Sequence, residues 1–171
     1  MKNGLVFGSG LVAGLIVGIF VHALLFAPEM TPVFSPEDGR LVLDLIGSAQ
    51  KSVDIEIYTF SSRDVVEALE EARSRGVEVR IIIEKNVVGG ENQQIFDELS
   101  AKGFDIRWAS RAYKLTHAKF MVVDGVAVLV GSHNLSNSAL FRNREASLIV
   151  RDRGIAADFH GAFEKDWTLA S

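Results

Sequence analysis

Two short apolar runs, Phe120–Val123 and Val126–Val130, are separated by Asp124-Gly125 and followed at once by Gly131-Ser132-His133-Asn134. This stretch constrains the fold more than any other. An Asp-Gly pair between β-type runs is a strong short-range signal for a hairpin, because the tight turn that suits twisted strands needs residues tolerant of positive φ. His117 and Lys119 stand at the start of the first run. Alternation along a strand puts residues i and i+2 on one face, so both side chains point the same way. The loop Gly131–Asn134 then leaves the second strand as a small polar segment. An imidazole, an ammonium group, and hydroxyl and amide donors at close range are what phosphoryl chemistry needs: a nucleophile or base, a cation, and hydrogen-bond donors.

Upstream, helical and strand patterns alternate. Ser35-Pro36-Glu37-Asp38 has the form of a helix start, with a capping serine, proline at the first helical position and acids in the first turn. It predicts a helix to about Gln50 with Leu41, Leu45 and Ile46 facing the core. Ser52–Phe60 alternates Val53, Ile55 and Ile57 as a strand. Ser62 caps a helix that runs to about Arg75 and ends at Gly76. Val77–Ile83 reads as a buried strand, Glu91–Lys102 as a helix stopped by Gly103, and Phe104–Trp108 as another strand. The order αβαβαβ implies parallel strands with helices on both faces. The loop Ala109–Thr116 delivers the chain to His117 and carries Arg111, Tyr113 and Lys114, candidate substrate contacts at the mouth of the site. Beyond the hairpin, Ser136 or Asn137 caps a short helical turn. Glu145–Val150 is a strand, and Gly154–Leu169 is a closing helix docked by Ala157, Phe163 and Trp167. His160 on that helix reads as a surface or packing histidine.

The spacing His117-x-Lys119-x4-Asp124-x6-Gly131-Ser132-x-Asn134 resembles the HKD signature of the phospholipase D superfamily, and every fixed position is present. Glu145 falls where small bacterial nucleases of that family carry a glutamate that orients the histidine. The resemblance covers roughly residues 35–170 in organisation, with its specific part at 117–145. It implies an α/β fold with a mixed sheet flanked by helices on both faces, and a metal-independent phosphodiesterase with no cofactor. His117 would attack phosphorus and form a covalent phosphohistidine, splitting one hard step into two easier ones. Lys119, Ser132 and Asn134 would bind the phosphate. Glu145 would accept a hydrogen bond from the other ring nitrogen of His117 and fix its tautomer. Asp124, the last member of the signature, is expected to hold the strand turn or to pair with a nearby base. His133, the variable position of the serine–asparagine loop, is expected to line the site. The family's chemistry uses two such histidines, whereas this chain has one copy of the signature. A two-fold homodimer that brings together His117 of both chains supplies the second.

The remaining sequence bears on location and substrate. Leu5–Phe26 is 22 residues long without Lys, Arg, Asp or Glu, enough to span a bilayer. Gly10, Gly14 and Gly18 recur at the four-residue spacing that lets membrane helices pack closely. Residues 1–27 are therefore expected to be an uncleaved transmembrane anchor, with a cleaved signal peptide as the rival reading. Residues 28–34, which hold two of the three prolines, read as a linker, and 35–171 as the catalytic domain. Lys2 before the span and Glu29, Glu37 and Asp38 after it place that domain outside the cytoplasm, periplasmic or extracellular. The absence of cysteine excludes disulfides and thiolate metal sites. Residues 28–100 carry 7 Lys+Arg against 15 Asp+Glu, but residues 101–171 carry 10 against 7, so the motif lies in the basic part. That suits an anionic substrate. Single- or double-stranded nucleic acid is the first reading, phospholipid the second, and an idle membrane scaffold the third.

Overall fold

The computed structural model describes residues 28–87 and 89–171. A single sheet of seven strands organises them: β1 (Glu29–Phe34), β2 (Ser52–Ile57), β3 (Glu78–Ile83), β4 (Asp105–Trp108), β5 (Lys119–Val123), β6 (Ala127–Gly131) and β7 (Ala146–Arg151). Their spatial order is β1-β7-β6-β5-β2-β3-β4. The helices are α1 (Arg40–Gly47), α2 (Arg63–Ser74), α3 (Glu91–Ala101), α4 (Asn137–Phe141) and α5 (Arg153–Leu169).

The sheet is mixed. β2, β3 and β4 are parallel, as the alternating helix and strand pattern requires. From β5 onward every pairing is antiparallel: β5 runs against β2, a tight turn returns the chain as β6, and β7 runs against β6 after the 132–145 segment that holds α4. Asp124 (φ 55) and Gly125 (φ 63) are both left-handed at the β5–β6 turn, the conformation expected of Asp-Gly there. The helices cover both faces unequally. Val42, Leu45 and Ile46 of α1, Val65, Val66, Leu69 and Ala72 of α2, and Ile95 and Leu99 of α3 join the main core, against Val53, Ile55, Ile57, Ile81 and Ile83. On the other face α5 docks alone. Phe163 and Trp167 pack on Ile82, and Ala156 packs on Val122 and Val128. Ala156, not Ala157, is the buried alanine of that helix.

β2 is buried on both faces, with acids on the α5 side. Asp54 accepts from Arg80 Nε (2.7 Å) and lies 3.1 Å from His160 Nδ1. Glu56 is 4% exposed, and its Oε2 has no hydrogen-bond partner among the described residues. Burial, then the neighbouring Asp166, pushes its pKa up to about 7.

Two expectations fail at the amino-terminal side. Residues 28–34 are not simply a linker, since 29–34 form β1, paired antiparallel with β7. Pro32 is tolerated there because an edge strand has a row of amide positions with no partner. Ser35 does not cap a helix. It is fully buried and donates to Ala139 O at 2.7 Å, and α1 begins at Arg40. Ser62 and Ser136 do cap α2 and α4, accepting from Val65 N and Ala139 N. No helix among the described residues is long and apolar enough to cross a membrane. The expected span, 5–26, lies outside them.

Candidate functional site

The site forms at the end of the sheet's central strands, where β2 and β6 end and β5 begins. Beyond Ile57 the chain stays extended and continues to pair. Tyr58 N donates to Ala118 O (3.0 Å), Leu135 N to Thr59 O (3.0 Å), and Ser61 N and Ser62 N to Leu135 O. This zipper draws the His117 loop to Tyr58 and the Gly131–Asn134 loop to Thr59. Phe120 faces Val130 in the β5–β6 register, which sets Lys119 beside Gly131. Gly131 is required by close approach: a Cβ there would lie 2.4 Å from Ser147 Cα and 2.5 Å from Ala146 O.

His117 is exposed, and Lys119 is half-buried beneath it. Lys119 Nζ lies 3.3 Å from Nδ1 and 3.2 Å from Nε2 of the His117 ring, and it donates to His117 O at 3.1 Å. The ammonium thus sits against the ring face. Burial lowers the pKa of Lys119, and the charge of Glu145 partly offsets this. Tyr58 lies beside both groups, its ring centroid 4.5 Å from that of His117 and 5.0 Å from Lys119 Nζ. Asn134 Oδ1 accepts from Thr59 N (3.2 Å), which fixes the amide and leaves its NH₂ as a donor. Ser132 Oγ donates to Glu145 Oε2 at 2.5 Å and accepts from Ala146 N at 3.0 Å.

The remaining candidates behave differently. Glu145 does not hold the His117 ring within this chain. Its carboxylate accepts from Ser132 and, at 3.3 Å, from Asn143 Nδ2. Asp124 sits at the far end of the hairpin and takes no part in the site. Its carboxylate accepts from Gln50 N (3.0 Å), Lys51 N (2.7 Å) and Ser52 N (3.0 Å), tying the α1–β2 turn to the hairpin. Burial alone would raise its pKa, but these amides outweigh burial and hold it below the ordinary value.

His133 does not line the site. It is 3% exposed, with Nδ1 2.6 Å from Ser147 Oγ and Nε2 3.1 Å from Ser35 Oγ. Burial lowers its pKa. It is a neutral strut beneath the serine–asparagine loop. Arg111 and Lys114 are exposed, whereas the Tyr113 hydroxyl donates to Asp166 Oδ1 of α5 at 3.0 Å.

Two buried residues escaped the sequence reading. Glu84 accepts from Thr116 N (2.8 Å) and Asn86 N (2.7 Å), fixing the backbone just before His117. Asn92 accepts from Phe60 N (2.9 Å) and donates to Tyr58 O and Glu84 O, both at 2.7 Å. Together they lock the two segments that bear Tyr58 and His117.

The family described as cardiolipin synthase, PLD-like domain, matches residues 42–167. The chain is similar to the mitochondrial cardiolipin hydrolase of Chlamydomonas reinhardtii, 28% identical over 92% of this chain and 77% of that protein. It is also similar to the mitochondrial cardiolipin hydrolase of Xenopus tropicalis, 37% identical over 75% of this chain and 60% of that protein. Its fold matches the crystal structure of the phospholipase D family member Nuc from Salmonella typhimurium. There the TM-score is 0.79 at 28% identity, over 84% of this chain and 97% of Nuc. The chain belongs to the phospholipase D superfamily of phosphodiester-cleaving enzymes.

Proposed function

We propose that this protein is a membrane-anchored, metal-independent nuclease that works through a covalent phosphohistidine at a site shared by two copies of the chain. One observation carries the reading. Of the three described histidines, only His117 presents an exposed imidazole to the site. His133 is sealed beneath the loop, and His160, on α5, is turned to Asp54 of β2. Two-step phosphodiester cleavage uses two imidazoles on opposite sides of phosphorus, so the second comes from His117 of a partner chain.

The chemistry follows from the groups in place. A neutral ring nitrogen of one His117 attacks phosphorus and forms the P–N bond as the P–O bond to the leaving group breaks. His117 of the partner chain, protonated, gives its proton to that oxygen. It then takes a proton from water, which attacks phosphorus, breaks the P–N bond and restores the first imidazole. Lys119, Ser132 and Asn134 supply positive charge and donors to the phosphoryl oxygens. Glu145 shapes the serine–asparagine loop through Ser132.

Nucleic acid is favoured over lipid because the surface beside His117 is open, polar and basic, with Arg111 and Lys114 exposed. Phosphatidyl lipid is the second reading, favoured by the family match and by the names of the algal and frog relatives. The test is hydrolysis of single-stranded DNA, RNA, cardiolipin and phosphatidylcholine by the purified chain with chelator present. Cleavage of DNA or RNA at rates well above the lipids supports the nuclease reading. Turnover confined to lipid replaces it with the second.

A further inference from the structure

Beside the His117 loop lies an open cleft of about 590 Å³ whose walls include Glu84, Lys85, Trp108, Arg111 and Lys114. Its floor is joined to the catalytic segment, since Glu84 accepts the amide of Thr116, the residue before His117. Glu84 is 4% exposed, and both its oxygens are engaged by backbone amides, so its charge is satisfied within the protein. The rim is cationic. Lys85, Arg111 and Lys114 form no ion pair among the described residues. Trp108 lines the same cleft. One face of its ring is stacked on Phe96, centroids 4.0 Å apart and planes 8° apart, which holds it rigid. Lys85 Nζ lies 5.4 Å from the centroid of the same ring. Unpaired cations around a fixed aromatic face match a single nucleic-acid strand, whose phosphates seek cations and whose unpaired bases stack on rings.

We propose that this cleft holds the single-stranded segment next to the scissile phosphate. Lys85, Arg111 and Lys114 meet its phosphates, and Trp108 takes a base on the face turned away from Phe96, from which the exposed Lys85 side chain swings to a phosphate. The proposal rests on the nuclease reading and adds to it the strand's path, its single-strandedness and two residues, Lys85 and Trp108.

The test compares two substrates on the full chain: a single-stranded DNA oligonucleotide, and bis(p-nitrophenyl) phosphate, a diester too small to reach the cleft. Lys85→Gln and Trp108→Leu should each lower the ratio of kcat/KM for the oligonucleotide to that for the small diester. The expected fall is about 5- to 100-fold for the tryptophan and roughly 3- to 10-fold for the lysine. Turnover of the small diester also reports that each variant is folded. In a His117→Ala background, fluorescence anisotropy should show the slope of log K against log salt shrinking by about 0.7 for each of Lys85, Arg111 and Lys114 replaced. An unchanged ratio and an unchanged slope, with the wild type still cleaving the oligonucleotide, would overturn the cleft and leave the nuclease reading standing. A wild type that hydrolyses the small diester but neither DNA nor RNA would overturn both, as would variants that lose lipid turnover instead.

Discussion

Replacing Glu56 with glutamine should stabilise the fold above neutral pH and have a much smaller effect at pH 5. Glu56 is an acid on the buried face of β2, and one of its oxygens has no partner. Burial and Asp166 raise its pKa from 4.5 to about 7. Between those values the folded protein keeps a proton that the unfolded chain has released. Stability therefore falls as pH rises through this window and levels off above it. At about 1.4 kcal/mol per pKa unit, the full cost above pH 7 is about 3 kcal/mol, and residual solvation of the carboxylate reduces it to roughly 1–3 kcal/mol. Glutamine has nearly the same volume and no charge, so it removes the cost of burying the carboxylate beside Asp166. Urea or thermal unfolding of both proteins at pH 5 and pH 8 measures the difference. The variant should gain about 1–3 kcal/mol at pH 8, or roughly 3–9 °C in Tm, and about a quarter of that at pH 5. An equal difference at both pH values would refute the reasoning, and so would a variant less stable at pH 8.

Other variants test the site and its frame. His117→Asn should lower turnover by roughly 10³-fold or more with the unfolding midpoint unchanged, and wild-type activity should persist in EDTA. Gly131→Ala should cost about 2–3 kcal/mol or more in urea unfolding, because the new methyl meets the Ser147 and Ala146 backbone at 2.4 and 2.5 Å. Asp124→Ala should cost about 2 kcal/mol by releasing three amides of the α1–β2 turn, while turnover per folded molecule survives, unlike that of His117→Asn. Fractionation of cells expressing the full chain should find it in membranes and resistant to carbonate. Recovery as a soluble chain beginning near Leu24 would refute the anchor.

What could be read in advance was local. The β5–β6 hairpin needs only Asp-Gly between two apolar runs. The caps at Ser62 and Ser136 need only a hydroxyl three residues before an amide. His117 and Lys119 share a face by strand periodicity alone. The misreadings share a physical cause, which is partners distant in sequence. Ser35 looks like a cap until α4, 104 residues later, takes its hydroxyl. His133 looks like a lining residue until β7 supplies Ser147 and the turn after β1 supplies Ser35. Residues 29–34 look like a linker because two prolines flank Glu29–Thr31, and only the position of β7 reveals an edge to pair with. Glu84 and Asn92 carry no motif, although each is a polar residue in an otherwise core-forming neighbourhood. In the antiparallel half of the sheet the Asp-Gly turn gives only the β5–β6 pairing; a mixed sheet was implied by the family resemblance, since the αβαβαβ count points to parallel strands.

The shared site is the central claim, and subunit mixing tests it most directly. Inactive His117→Ala chains are mixed with wild-type chains, allowed to exchange, and assayed at constant total protein. A mixed dimer has one imidazole where the two-step chemistry uses two, so it should be nearly inactive. Activity should then fall as the square of the wild-type fraction. A linear fall would mean that each chain works alone and would contradict the shared site.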